Sequence, residues 1–353
     1  LAVLSKPNLV AVPLVALAMD WLLLRTPPRR ALFRIAPWLG LAAAHAFLTR
    51  AVQPPSPLLT LPIWLRLFVA GDALAFYLGK LVWPLELAAD YGRTPQEVIG
   101  HWWGYATWLV SAALLLLAVA LRRRSRWALP GLLWFGFALL PVLGLLPFDF
   151  QQYSTPADHY AYLAMFGPAL ALAGLALHLK GFYGRLPVLV LLALLAAQSG
   201  LQTMTWQTND TFWRHTLEVN PRSYLAHNNL GAVYLLAGRL PLAAREFRAA
   251  VELQPTDADA LVNLGMVLLR MGQPQEARDA LERGLQVRPG DPKARLMLGM
   301  IAMQSHDYPT ALEHLQTAVA ADPQNPAARA ELARALTALG RDDEARSVLG
   351  GGP

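Results

Sequence analysis

Asp158, His159, Tyr160 and Tyr162 stand together in TPADHYAYLAMFG, residues 155–167. An acid, an imidazole and two phenols can between them accept protons and hydrogen-bond a phosphate or a hydroxyl. They lie at the mouth of PALALAGLALHL, residues 168–179, which is almost free of polarity. Lys80 and the pair Asp90–Tyr91 lie in two other segments that could meet them. Lys80 and His159 are the side chains able to offer a phosphate positive charge. Asp158 would orient His159 or a neighbouring loop, since a carboxylate and a phosphate repel. The alternative is that these acids and phenols cap helices and anchor the chain at a membrane interface. Other chemistry finds no support. There is no cysteine, the eight histidines are scattered without metal-ligand spacing, and no Walker loop, Rossmann glycine pattern, HExxH or GxSxG is present. No metal site and no bound cofactor is expected.

The elements that position these residues follow from composition. The chain of 353 residues is 55% hydrophobic and 15% charged, too apolar for an ordinary soluble protein. Residues 1–205 carry 15 Lys and Arg against 7 Asp and Glu, a net of +8, while 206–353 carry 15 against 17, a net of −2. The basic excess sits in short loops of the apolar half, which argues for membrane topology signals and against nucleic-acid binding. Stretches with the length and character of a bilayer crossing are 7–24, 33–50, 63–88, 102–121, 127–147, 162–179 and 186–204. RTPPRR (25–30), RRRSR (122–126) and HLKGFYGR (178–185) are basic, whereas 51–62 and 148–161 hold no Lys or Arg. All three basic loops fall on the cytoplasmic side only if 63–88 does not cross. That stretch contains Arg66, Asp72, Lys80 and Pro84. Six crossings plus a re-entrant or interfacial 63–88 are therefore expected, with everything after Thr205 outside the cytoplasm. Trp102, Trp103 and Trp108 suit an interfacial aromatic belt. The chain begins inside an apolar run, so an N-terminal part is expected to precede Leu1.

The second half is periodic. Pro221, Pro255, Pro289 and Pro323 are 34 residues apart, and Leu230–Gly231, Leu264–Gly265 and Leu298–Gly299 keep the same period. Ala243, Ala277, Ala311 and Ala345 do so too. This is the tetratricopeptide period: small residues let paired helices approach, and Pro ends each second helix. About three and a half repeats are expected over 206–353, with a leading helix in Trp206–Asn220 and Trp213 placed where Phe247 falls in the next unit. Asn229 and Asn263 are one period apart, so they face one way and could hold the backbone of an extended peptide. Their alternative role is simple solvation, and the ladder breaks at Met297 and Glu331.

LAVLSKPNLVAVPLVALAMDWLL, KLVWPLELAADYG, PADHYAYLAMFG and WQTNDTFWRHTLEVNPRSYLAHNNLG follow one another in this order. In these motifs the chain resembles the transmembrane and tetratricopeptide-repeat protein O-mannosyltransferases. The resemblance implies an all-α fold: a partial polytopic helix bundle of the GT-C type over 1–205, then a tetratricopeptide α-solenoid over 206–353. It further implies an integral protein of a bacterial inner membrane, taking a sugar from a polyprenyl-phosphate carrier to an extracytoplasmic acceptor, most simply a protein. The family's catalytic acid would lie upstream of Leu1. Its Asp-Arg-Tyr reads Asp158-His159-Tyr160 here, exchanging a fixed cation for a titratable one. The lipid-phosphate-sugar site would comprise Asp158, His159, Tyr160, Tyr162, Lys80, Asp90 and Tyr91, with membrane lipid and a polypeptide as partners. Two other functions fit the same elements: a non-catalytic membrane-anchored repeat scaffold, and an envelope glycan ligase or polymerase.

Overall fold

A computed structural model describes residues 11–52, 61–120, 122 and 126–350, and all regular structure among them is helical. The start of the 7–24 stretch, most of the loop 51–62, the centre of RRRSR and the terminal GGP lie outside the described residues. The chain divides into two compact units, 1–207 with 218–220, and 208–217 with 221–353.

The first unit contains α1 (Val12–Leu22), α2 (Pro28–Val52), α3 (Ile63–Val82), α4 (Pro95–Gly100), α5 (Trp108–Ala120), α6 (Ala128–Leu139), α7 (Phe166–His178) and α8 (Gly181–Thr205). Its core gathers Val15 of α1, Ala70, Ala73 and Tyr77 of α3, Phe135 and Leu139 of α6, and Ala164. Helices α6 and α7 touch backbone to backbone at Gly131 and Gly167, where a Cβ on either residue would overlap the other's carbonyl. Among the described residues two helical stretches are long and apolar enough to cross a membrane, Trp102–Ala120 and Gly181–Thr205; Val12–Leu22, Ala128–Val142 and Phe166–His178 are apolar but shorter. Helix α3 ends two residues before Pro84, and its charged residues Arg66 and Asp72 face protein, 4% and 1% exposed. Arg66 donates to the Gly144 carbonyl at 3.2 Å and to that of Leu61 at 3.3 Å. Helix α8 differs from all of these, for none of its residues is buried.

The second unit opens with α9 (Asn209–Val219) and continues as four helix pairs: α10 (Tyr224–Leu236) with α11 (Leu240–Leu253), α12 (Ala258–Arg270) with α13 (Pro274–Val287), α14 (Pro292–Gln304) with α15 (Tyr308–Ala321), and α16 (Pro326–Ala338) with α17 (Asp342–Leu349). Four pairs and a leading helix exceed the three and a half repeats expected from the landmarks. Trp213 and Leu217 of α9 pack on the same core as Phe247 and Leu281.

The 34-residue period recurs at three local levels. Ser223, Asp257, Asp291 and Asn325 each cap a first helix by accepting from backbone N–H groups of its first turn, satisfying donors that would otherwise be orphaned. Gly231, Gly265 and Gly299 give way to Phe247, Leu281 and Leu315, side chains that a Cβ there would meet within 2.8 Å. The turns between paired helices need a left-handed residue, supplied by Gly238, Gly272 and Gly340, and at the equivalent fourth place by His306 with φ 59°.

Candidate functional site

The acidic stretch around Asp158 is held against the end of α3 by residues from three segments. Lys80, in the last turn of α3, donates to the carbonyls of Leu85 at 2.6 Å and Glu86 at 3.1 Å. Those bonds turn the chain back over the helix end. The ammonium lies 5.2 Å from the Tyr91 ring centroid and 5.7 Å from that of Phe76. The Tyr91 hydroxyl accepts from the Ala88 amide at 2.9 Å and donates to Asp158 Oδ1 at 2.8 Å. One residue upstream, the Tyr77 hydroxyl accepts from the Ala157 amide at 2.9 Å and donates to the Ala157 carbonyl at 3.0 Å. The backbone beside Asp158 is thereby fixed in both directions.

Asp158 is left half satisfied. Its Oδ2 is buried and makes no hydrogen bond; the Ala88 amide nearby gives its proton to Tyr91. Burial raises the carboxyl's pKa, and the Tyr91 bond, the Lys80 charge and the nearby Ala88 amide together lower it less than burial raises it, so it is pushed up to about 6. The Tyr91 hydroxyl is driven well above the usual phenol range by burial and then by the Asp158 charge. A carboxyl that changes charge near neutrality, bonded to a phenol that stays protonated, is an acceptor for one further donor.

A second clamp braces the same loops. Arg93 holds Asp72 through both Nε and Nη2, and its guanidinium lies 4.6 Å from the Trp103 ring and 5.3 Å from Phe76. The Arg93 carbonyl accepts from the Thr155 amide at 2.9 Å. Gln151, Ser154 and Thr155 are buried in this junction. Sequence reasoning placed Arg66, Asp72 and Lys80 in α3 as costs to a membrane crossing and missed Arg93 and Tyr77. A buried acid implies a cation somewhere, but nothing local singled out Arg93.

Of the residues expected here, the structure brings Lys80, Tyr91 and Asp158 together. The others are placed differently. Asp90 is buried and accepts from the Gly92 amide at 2.7 Å, so it shapes its own turn. His159 is exposed and packs on the rings of Tyr160 at 4.1 Å and Phe150 at 6.0 Å. Asp158 Oδ1 accepts from Tyr91, so the acid holds a neighbouring loop, one of the two roles expected of it. Tyr160 is half-buried beside Phe148 and Phe150, and burial pushes its hydroxyl up to about 12. Tyr162 is 62% exposed. Among the described residues there is no group of His, Asp and Glu that could hold a metal ion.

On the repeats, Asn263 Nδ2 donates to Asn228 Oδ1 at 3.1 Å across successive first helices. Asn229 turns its Nδ2 to the Leu225 carbonyl of its own helix at 2.8 Å. The one-period pair therefore makes different bonds, and Asn228 is the partner that spacing alone overlooked. Further along the first-helix face, Met300, Met303 and Gln304 of α14 with Glu331 and Arg334 of α16 line a groove of about 140 Å³. Arg334 closes on both carboxylate oxygens of Glu331, at 2.8 and 2.9 Å.

Comparison with known proteins bears on this second unit. Sequence profiles of the tetratricopeptide repeat match residues 222–289 and 302–353, so this part of the chain carries tetratricopeptide repeats. No curated protein matches the chain. Among solved structures, the MamA protein is 23% identical, covering 40% of this chain and 77% of its own, with a TM-score of 0.37. MamA from Desulfovibrio magneticus is 19% identical, covering 45% and 91%, with a TM-score of 0.38. YrrB, a tetratricopeptide-repeat protein with an unusual peptide-binding site, is 22% identical, covering 45% and 83%, with a TM-score of 0.36.

Proposed function

We propose that the chain is a membrane-anchored tetratricopeptide-repeat protein whose repeats bind a polypeptide on the extracytoplasmic side. One observation carries the anchoring. Gly181–Thr205 is 25 residues long, apolar throughout its middle, and has no buried residue. A helix that hydrophobic in water would be unfavourable along its whole length, and about 20 such residues match a bilayer core. The repeat array begins four residues later, with α9. The basic segments RTPPRR and HLKGFYGR set the orientation by the positive-inside rule, which leaves the repeats outside. The finer arrangement, six crossings with α3 at the interface, is part of the same proposal. Polypeptide binding is supported by the first-helix face, where Asn228, Asn229 and Asn263 offer amides and Met300 and Met303 a deformable apolar wall. The test uses the full chain in membranes, with photo-crosslinking residues at Asn263, Glu331 and, for the opposite face, Arg283. Polypeptide adducts should form from the first two positions and not from the third. Equal adducts from all three positions, or release of the chain by an alkaline wash, refute this reading.

A second reading is supported by Asp158, whose buried oxygen lacks a donor beside Lys80. In it the membrane unit belongs to a glycosyltransferase that uses a polyprenyl-phosphate sugar, with Asp158 receiving a hydroxyl and the repeats presenting the acceptor. Transfer of labelled sugar from such a lipid, abolished by Asp158→Asn and Tyr91→Phe, would carry it. No transfer by the full-length protein would leave the scaffold.

A further inference from the structure

We infer that the exposed surface around the first turn of α2 binds the headgroup of an anionic phospholipid. This rests on the proposed membrane placement and adds a ligand to it. Arg29, Arg30 and Arg34 with Phe33 line a shallow groove of about 370 Å³. Only one carboxylate answers the three guanidiniums among the described residues: Asp20, 3.6 Å from Arg34, whose side chain is still 64% exposed. Arg29 and Arg30 have no ion-pair partner there. Their position adds to the imbalance, because α2 has no acidic residue in its first turn, where the helix dipole already favours negative charge.

The same surface is apolar around the cations. Phe33 is 82% exposed and Leu24 69%, and Trp21, Leu32 and Trp38 are also exposed. A ligand that satisfies both features must carry a phosphate or similar anion next to hydrocarbon. An acidic peptide or a nucleic acid would pair with the guanidiniums and leave Phe33 and Leu24 in water. A neutral lipid would cover the rings and leave the guanidiniums without counter-charge. An anionic phospholipid does both: its phosphate suits the bidentate fork of arginine, and its acyl chains cover the aromatic rim.

The experiment is native mass spectrometry of the full chain in dodecylmaltoside, titrated with phosphatidylglycerol or phosphatidylcholine. Phosphatidylglycerol should be retained in preference. Each basic residue near an anionic lipid surface is worth about fivefold, so the double variant Arg29→Gln/Arg30→Gln should lose roughly 30-fold in apparent affinity. Arg29→Lys/Arg30→Lys keeps the charge, guards against a folding defect, and should fall between the two. Arg185→Gln, at a basic residue in the second turn of α8, should bind as wild type. Equal retention of the two lipids, or an unchanged double variant, overturns the site. So does displacement of the lipid by inorganic phosphate at matched concentration, which would make it a small-anion site. A chain that pellets with alkaline-washed membranes yet shows no lipid preference fails this inference alone, whereas a chain washed free fails the anchoring.

Discussion

Asp158→Asn should make the first unit more stable at pH 8 and leave it almost unchanged at about pH 3. The carboxyl titrates near 6 in the folded protein against an ordinary 3.8, roughly two units, and each unit corresponds to about 1.4 kcal/mol. Between those values the folded chain holds a proton that the unfolded chain has released. The contribution of Asp158 to stability is therefore complete below about pH 4 and is lost as pH rises through about 6, a loss of about 3 kcal/mol. Asparagine is neutral at every pH, and its Oδ1 can still accept from Tyr91. Tyr91, Lys80 and Tyr77 are the charged or titratable groups set against the carboxyl from α3 and the loop after it. Groups that titrate alike in both proteins cancel when wild type and variant are compared at each pH, so the difference follows Asp158.

The assay is thermal unfolding of the full chain in detergent from about pH 3 to 8, wild type beside variant. For a cooperative unit of about 200 residues, 3 kcal/mol corresponds to a shift of roughly 6–12 °C. The difference in Tm should be near zero at about pH 3, rise mainly between about pH 4 and 6, and level off by about pH 7.5. A difference independent of pH, or a variant less stable at pH 8, refutes the argument. It would mean that the buried Oδ2 has a donor, or that the ionised form is solvated. If the gain in stability accompanies loss of binding or transfer, Asp158 is a group kept at the expense of the fold, as functional residues commonly are.

His306→Gly should stabilise the third helix pair by about 0.5–1 kcal/mol, the left-handed cost of roughly 1–2 kcal/mol less the entropy of a new glycine; amide exchange in α14 and α15 should slow accordingly, and unchanged or faster exchange counts against it. Gly265→Val places a Cβ 2.5 Å from Leu281 Cγ and 3.2 Å from the Ala277 carbonyl, and should cost about 1–3 kcal/mol by overpacking, read as a lower urea midpoint for the repeats. Asp291→Ala removes a cap that accepts from both Lys293 and Ala294, so a loss of about 1–2 kcal/mol is expected, with fraying confined to the first turn of α14. A reporter active only in the cytoplasm, fused after Pro353, should stay silent if three basic loops set the orientation.

The repeats were legible because each unit obeys the same local rules. Pro at the end of a second helix, Gly at the closest approach and Ala in the second helix recur every 34 residues, and each has a steric reason visible without coordinates. Caps at Ser223, Asp257, Asp291 and Asn325 use three residue types for one function, so the period is hidden in the alphabet while it is plain in the geometry. The same substitution hides the left-handed turn at His306.

The site was legible only in its types. Lys80, Tyr91 and Asp158 were singled out for their chemistry, and they do meet, yet the bonds between them were misjudged. Charge counting pairs an acid with the nearest cation in sequence or with an expected ligand, whereas burial decides by donors: Asp158 took the Tyr91 hydroxyl, Lys80 took two carbonyls, and Asp72 took Arg93 from a loop twenty-one residues away. Each choice satisfies a group that the turn after α3 would otherwise leave without a partner. Once those bonds are made, one polar atom of the cluster, Asp158 Oδ2, is buried and without a partner. Had Lys80 been free to reach Asp158, the pair would have closed on itself and left no acceptor to offer. The carbonyls of Leu85 and Glu86 hold the ammonium close enough to influence the carboxyl and keep it from neutralising it. That division is why the same few residues can brace two loops and still leave one oxygen without a donor.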